Sequence, residues 1–148
     1  MAIPDADELM KTLNPNFVKP QRPFLRMSYA DAIKWLRDHK IKRLKEGTPE
    51  DTPEDKKEYV DHELGDDIAE AAERRMTDII GRPIFLYGFP SELKAFYMQR
   101  IKGPAGQGPD GMVYTESCDL LVPGVGEVIG ACTHTYFSDQ AHQTQADR

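Results

Sequence analysis

Asp119 and Glu127 are the residues of this chain whose type and spacing most suggest chemistry. They lie in Thr115-Glu-Ser-Cys-Asp-Leu-Leu-Val-Pro-Gly-Val-Gly-Glu-Val-Ile-Gly-Ala131, where two apolar runs flank Pro123-Gly124-Val125-Gly126. That pattern reads as a β-hairpin closed by a Gly/Pro-rich turn. Folding about Pro123 sets Asp119 opposite Glu127, and like charges directly opposed across two strands destabilise a sheet. A hard divalent cation would relieve the repulsion, because such ions take carboxylate oxygens as ligands. The bland alternative is a solvated hairpin whose acids face water, since paired acids on exposed strands are common.

Other chemical groups carry less. Lys94 and Arg100 are cations that could approach a phosphate, or could be strand-edge charges in water. Glu73-Arg74 reads equally well as a functional pair or a helix-surface ion pair. Cys132 and His134 would share one strand face, but neither completes a zinc-site spacing. The glycines of 101–112 match neither the Walker pattern nor GxGxxG, so a hairpin connection is expected there. No Ser/His/Asp order, nucleophile elbow or HExxH occurs.

These residues need elements to hold them. Residues 1–23 carry four prolines and should be extended, apart from a helical turn or two over Asp7–Leu13. Ser28 is an N-cap with Asp31 at the third position, opening a helix whose buried face is Tyr29, Ala32, Ile33 and Leu36, with Trp35 at its margin. More than half of the residues from Arg43 to Asp67 are charged, around a Gly-Thr-Pro-Glu-Asp-Thr-Pro-Glu-Asp near-repeat, and predict a solvated loop. A second helix follows Asp66-Asp67, with Ile68, Ala72, Met76, Ile79 and Ile80 on one face and Gly81 as its stop. Pro83–Pro90 reads as a buried strand, and Lys94–Arg100 as a second strand paired with it through the turn at Pro90-Ser91-Glu92.

The 148 residues suffice for one domain with a real core. A net charge of −6 and pI near 5.2 argue against nucleic-acid binding by bulk charge, and no local basic patch stands out. No apolar run approaches the ~20 residues of a membrane span. Two cysteines outside any metal spacing, and an acidic N-terminus unlike a secretory or mitochondrial leader, suggest the cytoplasm.

The hairpin words, with TES-x-D-x-L-x-PGVGE-x-x-G, resemble the ATP-site hairpin of class II asparaginyl-tRNA synthetases of the eukaryotic cytoplasmic type. Leu13-Asn14-Pro15-Asn16-Phe17, Pro23-Phe24-Leu25-Arg26-Met27, Gly65-Asp66-Asp67-Ile68-Ala69-Glu70-Ala71-Ala72-Glu73-Arg74, Phe89-Pro90 and Phe96-Tyr97-Met98 are similar to the same family, in the same order. The resemblance implies an α+β fold, an antiparallel sheet flanked by helices, working as a homodimer. It implies activation of asparagine with ATP to an adenylate and transfer to tRNA(Asn). Asp119 and Glu127 match the magnesium and ATP-phosphate positions, and Gly130 a position whose backbone approaches metal and phosphates. Residues 24–134 would be part of that catalytic core, with 43–67 as a charged insert and 135–148 as a polar tail.

The chain also departs from the family. Gly130-Ala131-Cys132-Thr133-His134 stands where the family reads Gly-Gly-Ser-x-Arg, so His134 replaces the arginine that grips the substrate side chain. Imidazole is shorter and lacks the guanidinium fork. Glu127 and His134 also fall on opposite faces of a regular strand, and a bulge, for which Gly130 is a plausible site, would be needed to bring them together. Motifs one to three, which carry dimerisation and the arginines for the ATP phosphates, have no counterpart. The resemblance therefore implies an asparagine–tRNA ligase segment without ligase activity of its own. The alternatives are an aspartyl-type fragment, or a non-catalytic module that binds a full-length synthetase or another partner.

Overall fold

The computed structural model describes residues 6–15, 19–49, 51–108 and 111–135; the polar tail past 135 lies outside them. The elements in order are α1 (Ala6–Leu13), β1 (Leu25–Ser28), α2 (Tyr29–Asp38), β2 (Arg43–Leu44), β3 (Tyr59–Val60), α3 (Glu70–Ile80), β4 (Ile84–Tyr87), β5 (Ser117–Val122) and β6 (Gly126–Cys132). Four strands make one sheet in the order β1-β4-β5-β6. β4, β5 and β6 pair antiparallel, and β1 joins β4 in parallel. Parallel neighbours need a long crossover, and α2 and α3 lie within it. The sheet is thus mixed, within an α+β architecture.

Ser28 begins α2 as its sequence requires: the Ser28 hydroxyl accepts from the Asp31 backbone N–H at 3.1 Å. Tyr29, Ala32, Ile33 and Leu36 are all buried. α2 packs over β1 and β4, and α3 over β5 and β6. Both helices cover the sheet face that carries Ile84, Leu86 and Leu121, and these residues join Met76 and Ala72 in one core. α3 ends at Gly81, whose φ of 70° suits glycine. Its buried face differs from the expected one. Ile79 is exposed, while Glu73 and Thr77 are buried beside Ala72 and Met76.

Two expectations need correction. Lys94–Arg100 is no strand against β4, because β1 and β5 already occupy both edges of β4. After a short 3-10 turn at Ser91–Leu93, that run crosses the end of the hairpin through single bridges, Met98 to His134 and Arg100 to Thr115. The charged 43–67 segment also carries order. β2 and β3 pair within it, and Arg43 clasps Asp66 through two hydrogen bonds of 2.6 and 2.8 Å. Asp66 Oδ2 also accepts from the Glu63 N–H, and the Tyr29 hydroxyl donates to the Asp66 carbonyl. A segment poor in apolar residues is here anchored by polar contacts to α2. His62, fully buried nearby, has its imidazole pKa lowered chiefly by burial.

Candidate metal and phosphate site

The hairpin forms where its words place it, but not in the register expected. Val122 pairs with Gly126 around a loop of Pro123, Gly124 and Val125, so the turn centres one residue later than Pro123. Gly124 and Gly126 take φ of 74° and 97°, conformations that a side chain disfavours. The Gly124 N–H donates to Asp78 Oδ1 at 2.6 Å and ties the turn to α3. A register shift then falls between Leu120 and Leu121: Leu121 faces Glu127, whereas Leu120 faces Ile129. Val128 is the extra residue of a bulge. Consequently Asp119 pairs with Gly130, and Glu127 with Leu121.

The two acids still share a face, because Glu127 pairs with Leu121, two residues along β5 from Asp119. Paired residues share a face, so Asp119, Leu121, Glu127 and Gly130 all point to the helix side of the sheet. A Cβ built on Gly130 would lie 2.9 Å from Glu127 Oε1 and 3.1 Å from Asp119 Oδ1. Both carboxylates thus lean over one glycine, into space that any other residue would fill. The acids meet diagonally rather than directly opposed, and the bulge at Val128 sets Gly130 instead of Ile129 across from Asp119.

They line a cleft of about 430 Å³ with Asp67, Ile68, Glu70, Glu73, Phe89, Lys94 and Val125. Asp119 is only 8% exposed, whereas Glu127 is exposed. Lys94 is the one cation among these lining residues. Its Nζ lies 3.2 Å from Asp119 Oδ2 and 3.8 Å from the centre of the Phe89 ring, a cation–π contact. Glu73, on the first turn of α3, has its carboxyl pushed up to about 7, first by burial and then by the charges of Asp119 and Glu127, against the pull of Lys94.

Among the described residues no three His, Cys, Asp or Glu side chains are arranged to hold a metal ion. Asp119 and Glu127 could supply two ligands. That suits magnesium, which commonly takes one or two carboxylates and completes its shell with water and substrate phosphates.

The remaining candidates separate. Arg100 is exposed and lines a different depression, with Ile101 and Val113. Arg74 pairs with Glu70 at 2.5 Å, not with Glu73, as expected of helix neighbours one residue apart. His134 is exposed, rests on the Tyr97 ring at 4.9 Å, and does not line the cleft. Cys118 and Cys132 are both free thiols. Sequence reasoning missed Glu73 as a buried member of the cleft. The signal was available, because 72, 73, 76, 77 and 80 form one helical stripe.

The α+β sheet, the capped helices and the acid-lined hairpin match a known class of protein. The family profile for class II tRNA synthetases (D, K and N) matches residues 5–146, and the chain belongs to that family. Within it, the similarity runs to asparagine–tRNA ligases named as cytoplasmic. The chain is 50% identical over 83% of its length to that of Dictyostelium discoideum, covering 16% of the relative, and 49% identical over 86% to that of Saccharomyces cerevisiae, covering 19%. It therefore spans about a fifth of the length of these curated relatives. The solved asparaginyl-tRNA synthetase of Entamoeba histolytica, in complex with asparaginyl-adenylate, superposes with a TM-score of 0.68 at 39% identity, over 95% of this chain and 28% of that one. The aspartyl-tRNA synthetase of the same organism shares the fold at 20% identity, with a TM-score of 0.59.

Proposed function

We propose that this chain carries the metal and ATP-phosphate side of an asparagine–tRNA ligase active site, in a cytoplasmic protein acting on asparagine, ATP and tRNA(Asn). The observation that carries the reading is the convergence of Asp119 and Glu127 over Gly130. Those two carboxylates would hold magnesium, and Gly130 leaves room beside its backbone for the phosphates. A divalent ion bound there supplies charge neutralisation for the phosphate oxygens. The chain's own residues do the rest. The Asp78 contact fixes the hairpin turn on α3, pairing with the core residue Leu121 aims Glu127 inward, and Phe89 and Lys94 wall the cleft.

Equilibrium binding of ATP to the purified chain, with and without Mg2+, tests this. ATP affinity should rise with Mg2+ in the wild type, and the rise should vanish in Asp119→Asn and Glu127→Gln. Affinity indifferent to Mg2+ in all three proteins would overturn the reading.

A second reading, a binding module for a full-length synthetase subunit, is favoured by one observation. The edge strand β6 leaves Val128 45% and Ile129 60% exposed, a surface suited to association. Co-elution with full-length asparagine–tRNA ligase at defined stoichiometry would support it, and independent elution would remove it.

A further inference from the structure

The two oxygens of Asp119 are turned to different partners. Oδ1 leans over Gly130 beside Glu127 Oε1, and Oδ2 receives the Lys94 ammonium at 3.2 Å. One carboxylate therefore serves both the place where a divalent ion would sit and the single cation of the cleft. The contact is sheltered, with the Lys94 side chain 24% and that of Asp119 11% exposed. Two cations on one carboxylate repel each other, and each weakens the hold of the other. Lys94 also has a second resting place, the face of the Phe89 ring 3.8 Å away. Its ammonium can loosen from Asp119 without losing all electrostatic support.

We propose that Lys94 is a positioning residue which exchanges with the divalent ion, holding Asp119 in the ion-free cleft and turning to the nucleotide phosphates once the ion takes that carboxylate. This rests on the metal-site reading above and adds a role that the two acids do not require. In the ion-free state Lys94 keeps Asp119 in its inward pose against the repulsion of Glu73 and Glu127. In the loaded state it supplies a second positive charge to the phosphates, which suits a flexible ammonium acting as a point charge. The other lining residues with ionisable groups, Asp67, Glu70, Glu73, Asp119 and Glu127, are all acids. No other lining side chain can do both.

The test is a Mn2+ titration of the full chain, followed by the paramagnetic resonance signal of the free ion, and an ATP titration of the Mn2+-loaded protein. Wild type is compared with Lys94→Met, Lys94→Gln, Lys94→Arg and Asp119→Asn, each checked for folding by circular dichroism. Both neutral variants should bind Mn2+ alone about fivefold more tightly, the change expected for removing one competing partner of a sheltered ion pair. They should bind ATP about fivefold or more weakly once loaded, and Lys94→Arg should restore wild-type behaviour in part. Neutral variants that bind Mn2+ no more tightly, or ATP no more weakly, overturn the exchange. If Asp119→Asn abolishes Mn2+ binding while they behave as wild type, the exchange alone fails. If Asp119→Asn leaves Mn2+ binding unchanged, the metal-site reading fails and takes the exchange with it.

Discussion

Replacing Glu73 with glutamine should remove a pH dependence that the cleft imposes on folding. The Glu73 side chain is buried on α3, and its pKa moves from 4.5 to about 7. A carboxyl raised on folding binds protons more tightly in the native state. Its favourable contribution is therefore complete below the unfolded pKa and is lost as pH rises through the folded one. At about 1.36 kcal/mol per pKa unit, the loss across that window is of order 3 kcal/mol. His62 acts oppositely: its pKa is lowered, so its contribution is present above the ordinary histidine value and lost as pH falls. Subtracting the wild-type curve from that of Glu73→Gln cancels the His62 term. Urea unfolding between about pH 4.5 and about pH 8 should show the variant gaining roughly 3 kcal/mol relative to wild type. A difference that stays constant across this range would refute the placement of Glu73 in a buried, acid-crowded site.

Gly130→Ala should change stability by less than about 1 kcal/mol, because the clash falls on the ends of two side chains and the loss of glycine entropy offsets it. It should nonetheless weaken Mn2+ binding, measured by the same resonance titration, by about tenfold or more, since both carboxylates must move aside. Asp66→Asn breaks the twofold clasp with Arg43 and should cost about 2–4 kcal/mol in urea unfolding. Asparagine-dependent pyrophosphate exchange by the purified chain should stay at background, because Lys94 is the one cation lining the cleft and adenylate formation needs several donors on the phosphates. Turnover near that of a full-length synthetase would contradict this.

What could be read from the sequence was local. The Ser28 cap, the buried face of α2, the Gly81 stop and the hairpin around Pro123–Gly126 each rest on contacts within a few residues, and all form. What escaped depends on partners distant in the chain. The β1–β4 parallel pair displaces Lys94–Arg100 from the sheet, and no periodicity in that run announces it. The bulge at Val128 is invisible to counting from the turn, because one extra residue shifts the whole register while leaving the hydrophobic runs unchanged. Opposing Asp119 to Glu127 was wrong in register yet right in face, since Glu127 pairs with Leu121, two residues from Asp119 on the same side of the strand. Any benefit to stability from Asp119→Asn, expected for two directly opposed acids, is now set against the lost contact with Lys94. Glu73 was legible as part of a stripe, but its pairing with Arg74 read equally well as functional or as a helix-surface ion pair, and buried acids are uncommon.

The proposed site requires Asp119 and Glu127 to share a divalent ion above Gly130. Crystals of the chain soaked with Mn2+ and ATP, with anomalous data collected at the manganese edge, test it most directly. One strong anomalous peak is expected within ligand distance of both carboxylates, next to the Gly130 backbone, with phosphate density adjoining it. A peak elsewhere, or none at this position while ATP is visibly bound, would contradict it.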